Sequence, residues 1–230
     1  MSNMLHGSTF FCMAISLFGY EAGIFLRKKL KIGIFNPLLV SIIFVIIVLK
    51  VTGIDYDTYD KGANVLSYLL TPSTVCLAIP LYEQWELLKK NVKAVIAGLV
   101  TGTITSLTTV FVLALICRLS HEEYVTLLPK SITTAIGMGV SEELGGYVAI
   151  TVAVIIITGV LGNMLGETIC KVFRITEPIS KGLAMGASSH AIGTAKAMEM
   201  GEIEGAMSSL AIAVSGILTV LLSSIYACLI

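Results

Sequence analysis

Hydrophobic residues run along this chain in long blocks, separated by short polar stretches. A helix that crosses a bilayer needs about 20 mostly apolar residues. Ser8–Leu26, Ile32–Leu49, Gly62–Tyr82, Ala94–Cys117, Tyr147–Gly166 and Ala206–Ile230 all read as such segments. Two further stretches, Leu127–Gly146 and Gly182–Gly201, are long enough but crowded with Gly, Ser, Thr and charge. In hydrocarbon, irregular backbone survives only where protein buries it or where it lines a watery cavity. Both stretches therefore predict broken helices or re-entrant hairpins. The third block also carries a break signal, Thr71-Pro72-Ser73-Thr74, at its middle. Proline removes an amide donor and clashes one turn back, which predicts a kink or a break near Leu69–Pro72.

The connectors predict orientation. Arg27-Lys28-Lys29-Leu30-Lys31 sets four cations in five residues, and the positive-inside rule puts them in the cytoplasm, with the N-terminus outside. Met1–Gly7 has no Lys or Arg, so the first block is read as a membrane helix rather than a cleaved signal. The loop Thr52–Lys61 is acidic and external; Glu83–Lys93, with Lys89, Lys90, Lys93 and Trp85, is cytoplasmic; Arg118–Tyr124 is external. If Leu127–Gly146 turns back on itself, Lys171, Arg174 and Lys181 fall inside, so the charges favour a hairpin there. Gly182–Gly201 is open between crossing and returning. Glu199, Glu202 and Glu204, with no balancing cation in the run, favour crossing and a cytoplasmic C-terminus.

Composition narrows the class. Of 230 residues, 56% are hydrophobic and 13% charged, about half the charged share of a soluble domain. The expectation is an all-α polytopic membrane protein of about seven or eight segments, forming one integral membrane domain. Within it lie a two-helix unit (1–61), a broken-helix unit (62–118), a re-entrant stretch plus helix (119–170) and a second broken-helix unit (171–230). The net charge of zero and the lack of a basic tract exclude a nucleic-acid partner. The five cysteines are dispersed, with no metal-site or disulfide spacing, and no cofactor motif is present. Nothing forms a catalytic set, so an enzyme is not expected. A short likeness between Ala78-Ile79-Pro80 and Ala191-Ile192-Gly193, each followed by a connector and a span, suggests inverted repeats.

The chemistry of the broken stretches is that of an anion site. A helix break presents free N–H groups and a positive dipole end. Ser131, Thr133 and Thr134 in one stretch, and Ser188, Ser189 and Thr194 in the other, add hydroxyl donors; Lys130 and Lys196 add counter-charge. His190, ionisable inside a membrane segment, is either a functional group or a neutral ring bonded to a carbonyl. His190, Glu142 and Glu143 are candidates for proton coupling, with interfacial carboxylates as the plainer reading of the two glutamates. Lys196 and Glu199, at i and i+3, can also pair with each other. Together the residues describe a pocket for a small carboxylate. The small-residue spacing of Gly98, Gly102, Ser106 and Thr109 permits close helix packing and a homodimer.

Three motifs carry a resemblance: Leu69-Leu70-x-Pro72-Ser73-Thr74-Val75, Leu128-Pro129-Lys130-Ser131-x-Thr133-Thr134, and Ala187-Ser188-Ser189-His190-Ala191-Ile192-Gly193-Thr194-Ala195-Lys196-Ala197. From about Leu5 to the C-terminus the chain resembles the LrgB/CidB family, departing from its pattern at Ala135-Ile136-Gly137. The resemblance implies a multi-pass protein of the bacterial plasma membrane. It implies antiholin-like or holin-like control of murein hydrolase activity and cell lysis, with a small partner of the LrgA/CidA type. It equally implies carriage of small monocarboxylates, since a plant plastid relative moves glycolate and glycerate and bacterial pairs have been linked to pyruvate. The paired broken segments favour the carrier; a regulator without substrate-specific transport is the alternative.

Overall fold

The computed structural model describes residues 8–30, 37–76 and 78–230, with backbone only at Leu70, Thr71, Thr74 and Leu81. The reading of Met1–Gly7, the cation Lys31 and the start of the second span at 32–36 lie outside the described residues, as do the side chains of Thr71 and Thr74. Every regular element among the described residues is helical. Four helices, Thr9–Leu30, Trp85–Cys117, Val148–Val172 and Glu202–Ala227, are long and apolar enough to cross a membrane. The chain is an all-α membrane protein. It divides into two compact units, Met1–Cys76 and Leu77–Ile230.

The first unit holds α1 (Thr9–Leu30), α2 (Pro37–Thr52), α3 (Tyr56–Tyr68) and α4 (Leu70–Cys76). Helices α1 and α2 run antiparallel and close together. A Cβ on Gly23 would fall 2.6 Å from the Pro37 backbone, and one on Gly19 would fall 2.9 Å from the Phe44 ring. Without a hydrophobic drive between helices in lipid, such small-residue contact is what packing rests on. Asp55 starts α3 earlier than the expected loop allowed, by accepting from the Thr58 amide at 2.9 Å and the Thr58 hydroxyl at 2.7 Å. Helix α3 stops at Tyr68, four residues before Pro72, whose missing N–H and ring forbid continuation. Pro72 then sits in the first turn of α4, where an amide needs no partner. The Leu69 carbonyl accepts both the Ser73 amide at 3.1 Å and the Ser73 hydroxyl at 2.7 Å.

The second unit holds α5 (Ala78–Glu83), α6 (Trp85–Cys117), α7 (His121–Leu127), α8 (Thr134–Glu143), α9 (Val148–Val172), α10 (Pro178–Met200) and α11 (Glu202–Ala227). The expected connector Glu83–Lys93 is mostly helical and makes α6 33 residues long, about 50 Å at 1.5 Å per residue. Its buried positions Leu88, Val95, Leu99, Thr103, Leu107, Val110 and Ala114 recur every three or four residues on one face. Leu88, Val95 and Leu99 pack with Leu183 of α10 and Met207 and Ala211 of α11 at one end, and Leu107, Val110 and Ala114 with Tyr124 and Leu128 at the other.

The stretch Leu127–Gly146 folds back. Ser120 opens α7 with a capping box to Glu123. After Leu127 a turn leads into α8, whose ten residues span only about 15 Å, half a bilayer core. Gly145, at φ 80°, reverses the chain, and the Tyr147 amide then bonds the Thr126 hydroxyl at 2.7 Å. The stretch thus leaves beside the point where it began.

The stretch Gly182–Gly201 also folds back, which corrects the expectation of a crossing. Helix α10 breaks at Ser189 (φ −136°, ψ 15°) and His190 (φ 43°, ψ −140°). Along α9, Met185 lies on Gly166, Ser189 on Gly162 and the His190 ring on Gly159. The path then returns, with the Asn163 amide bonding the Ile192 carbonyl at 2.8 Å and Lys196 pairing with Glu167 at 3.2 Å. Both legs also touch Ser208 of α11, through Gly186 and through Thr194. The acidic run misleads because its counter-charges come from outside it: Glu199 meets Lys196, and Glu204 lies 3.9 Å from Lys181. Glu202 and Glu204 moreover sit in the first turn of α11, where the helix dipole favours them.

Two ends of this unit follow. One gathers Arg118–Thr126 and the C-terminus, since Tyr124 bonds the Tyr226 carbonyl at 3.0 Å and His121 the Ile230 carbonyl at 2.9 Å. The other gathers Lys171, Lys181, Gly201 and Glu204. The C-terminus therefore lies with the loop expected outside, and not with the cations expected inside. The inverted pair is also redrawn: a hairpin followed by a span occurs twice, as residues 121–172 and 178–227, running in opposite directions. The short likeness between residues 78–80 and 191–193 joins unlike places, the start of α5 and the middle of a hairpin.

Candidate functional site

A groove of about 530 Å³ lies between α6, the turn after α7 and the first leg of α10. The polar part of its wall comes from Thr105, Ser106 and Thr109 of α6, Lys130 and Ser131 of the turn, and Ser180 and Ser188 of the first leg of α10. The α6 wall is open because Gly98 and Gly102 carry no side chain; a Cβ there would meet only Leu183 at 3.6 Å or Ala187 at 4.0 Å.

The Lys130 ammonium donates to the Ser131 hydroxyl at 2.9 Å and the Ser106 hydroxyl at 3.3 Å, and the two hydroxyls are 3.2 Å apart. Among the described residues, no carboxylate lies within 4 Å of this ammonium. Ser106 stands near the centre of Ala94–Cys117, roughly 17 Å from either end at 1.5 Å per residue. A cation at that depth costs about 2.5–3.5 kcal/mol even by insertion scales. Neutral hydroxyls answer its hydrogen bonds and leave its charge unbalanced. Ser106 was missed as a ligand because its helical spacing with glycines reads as packing; its place opposite Ser131, 25 residues away, is not a local signal.

The structure brings some sequence candidates together and separates others. Lys130, Ser131 and Ser188 share the groove. Ser189 bonds Ser188 at 3.0 Å but is buried against Gly162. Thr133 and Thr134 begin α8, and the Thr133 side chain makes no capping bond. Thr194 is turned to α11, 2.7 Å from the Ser208 hydroxyl. Lys196 lies at the cationic end between Glu167 and Glu199. Glu142 and Glu143 are exposed in the last turn of α8.

His190 is buried and faces away from the groove residues, its Nε2–H donating to the Ile155 carbonyl at 2.9 Å. Gly159 makes room for the ring: a Cβ there would sit 2.7 Å from it. The same Ile155 packs its side chain on Gly137 of α8. One residue of α9 thus receives both hairpins, one through its carbonyl and one through its side chain. The left-handed φ of His190 is the local strain that reverses the chain, and this bond holds it.

The LrgB-like family matches the chain over residues 16–229. The chain is 40% identical over 220 residues to the antiholin-like protein LrgB of Bacillus subtilis (strain 168), covering 95% of each chain. It is 39% identical over 212 residues to the proteins of that name from Bacillus cereus (strain B4264) and Bacillus anthracis (strain CDC 684 / NRRL 3495), covering 92% of each chain. No solved structure matches it.

Proposed function

The chain belongs to the LrgB-like family, and from that premise we propose that it is a carrier of small monocarboxylates, of pyruvate, glycolate or glycerate type, in the bacterial plasma membrane. The observation that carries the reading is Lys130: an ammonium at mid-span, in a groove with room for a small carboxylate, whose partners among the described residues are hydroxyls. A single unbalanced cation suits one carboxylate, and Ser106, Ser131 and Ser188 suit a second polar group on the same solute. Hydrogen bonds to a charged group contribute about 1.5–3 kcal/mol each. The two hairpins, entering from opposite ends, are the parts that alternating access needs. The positive-inside rule places Lys171, Arg174 and Lys181 in the cytoplasm, hence Arg118–Tyr124 and the C-terminus outside; the cluster at Arg27 places the N-terminus outside as well.

A second reading rests on the name of the relatives. As an antiholin-like protein the chain would restrain murein hydrolase activity and lysis through an LrgA/CidA-type partner or a homodimer, with no substrate-specific flux. Reconstituted protein separates the two. Uptake of labelled pyruvate, glycolate and glycerate into liposomes is expected to saturate, and Lys130→Met to weaken apparent affinity roughly 10- to 150-fold. Absent uptake, or dye leakage indifferent to Lys130, would sink the carrier and leave the regulator.

A further inference from the structure

A second cavity, of about 640 Å³, lies at the cationic end between the last turns of α9, the two legs of α10 and the start of α11. Four cations, Lys171, Arg174, Lys181 and Lys196, face three carboxylates, Glu167, Glu199 and Glu204. The pairing is uneven. Glu167 serves Lys171 at 2.9 Å and Lys196 at 3.2 Å, while Arg174 makes no ion pair among the described residues. Arg174 is set in place by a left-handed turn (φ 55°) that closes α9, with the Ile175 amide on the Cys170 carbonyl at 2.8 Å. The Lys196 side chain is only 14% exposed, and its bond to Glu167 ties the second leg of α10 to α9. Lys181 ties the first leg to α11.

A purely structural cage would pair its charges one to one. This one is a negative charge short, and its guanidinium is a fork that matches a carboxylate. We infer that the vestibule is a second anion-binding site and that its occupant unlatches the hairpin: a small carboxylate held by Arg174 draws Lys196 from Glu167 and frees the second leg from α9. The motion reaches the groove through the first leg, because Ser180 lines the groove and Lys181, the next residue, lines the vestibule. The site concerns a different cavity from that of Lys130, and the latch stands whether or not the groove carries a solute.

Cys170 reports on the latch, since it lines the vestibule and is only 4% exposed. The full-length protein in phosphatidylcholine nanodiscs is treated with a membrane-impermeant maleimide, and modification of Cys170 is followed by peptide mass spectrometry. Glu167→Gln is expected to speed labelling about fivefold, the effect of an ion pair worth about 1 kcal/mol. Sodium acetate is expected to speed labelling of the wild-type protein beyond sodium chloride at equal strength, and to lose that effect in Arg174→Gln. If phosphatidylglycerol in the disc does the same without acetate, the site stands and its anion is a lipid headgroup. Equal rates in wild type and Glu167→Gln, with no response to acetate, would overturn the latch; acetate that slows labelling would overturn the opening. Pyruvate uptake measured in parallel keeps the two readings apart, because its absence beside a responsive Cys170 removes the carrier alone.

Discussion

Substituting Gly159 by alanine tests how α9 holds the broken hairpin. The new methyl would sit 2.7 Å from both Cε1 and Nε2 of His190 and 2.8 Å from Cδ1 of Ile192. Carbon contacts settle at about 3.5–4.0 Å, so the ring must retreat by roughly 1 Å. That would stretch its 2.9 Å bond to the Ile155 carbonyl beyond hydrogen-bonding range. Losing the bond costs about 0.5–1.5 kcal/mol and overpacking about 1–3 kcal/mol, together about 2–4 kcal/mol. For a chain of this size the melting temperature in detergent should fall by about 4–15 °C, as read by a thiol-reactive fluorophore. The control is the same substitution in a His190→Ala background. With the ring gone, only the flexible end of Ile192 remains in the way, and the added cost should drop below about 1 kcal/mol. A neutral Gly159→Ala, or one equally costly in both backgrounds, would refute the ring-on-glycine account.

Gly102→Leu should leave the melting temperature unchanged or slightly raised, since a Cβ there has room and leucine is the better helix former; uptake should fall because the side chain fills the groove. Thr151→Val should lower the melting temperature, because the buried Thr151 hydroxyl lies 2.9 Å from the Thr126 carbonyl and 2.7 Å from the Ser141 hydroxyl at the base of the first hairpin; about 1–3 kcal/mol is expected for the groups left unpaired. The Thr58 hydroxyl and amide hold the Asp55 carboxyl below its ordinary value. A depressed folded value means the cap is at full strength above the ordinary carboxylate range and is lost as pH falls through the folded value. Protection against hydrogen exchange at the start of α3, taken relative to the intrinsic rate at each pH, should therefore fall on acidification, and Asp55→Asn should abolish that response.

Breaks were legible in the sequence and directions only in part. Pro72 marks where α3 ends because its chemistry acts one turn back, and the glycine and hydroxyl density of 182–201 marks a break that falls at Ser189–His190. Whether such a stretch crosses or returns depends on close approaches that no local pattern states. Gly182 lets α10 come so near that a Cβ would lie 2.5 Å from the Glu204 carbonyl, and Gly205 admits Met198 in the same way. The charge argument favoured a hairpin at 127–146, where the chain does fold back, and failed at 182–201, where Glu199 and Glu204 found partners beyond their own run. The candidate chemistry was half legible. Lys130, Ser131 and Ser188 converge, whereas His190 is claimed by a carbonyl 35 residues away, and Lys196 by a glutamate on a different helix.

The two hairpins also shape the electric field. The tips meet at Ile155, one on its carbonyl and one on its side chain; were the proposed carrier to admit water along each hairpin, little low-dielectric material would separate them. Most of a transmembrane voltage would then fall across that septum rather than over the whole bilayer. A monoanion displaced by a few ångströms between the tips would do nearly the full electrical work of crossing, about 2.3 kcal/mol per 100 mV. An interior-negative cell would thus bias such a carrier toward release of anions, unless a proton or cation travels with them.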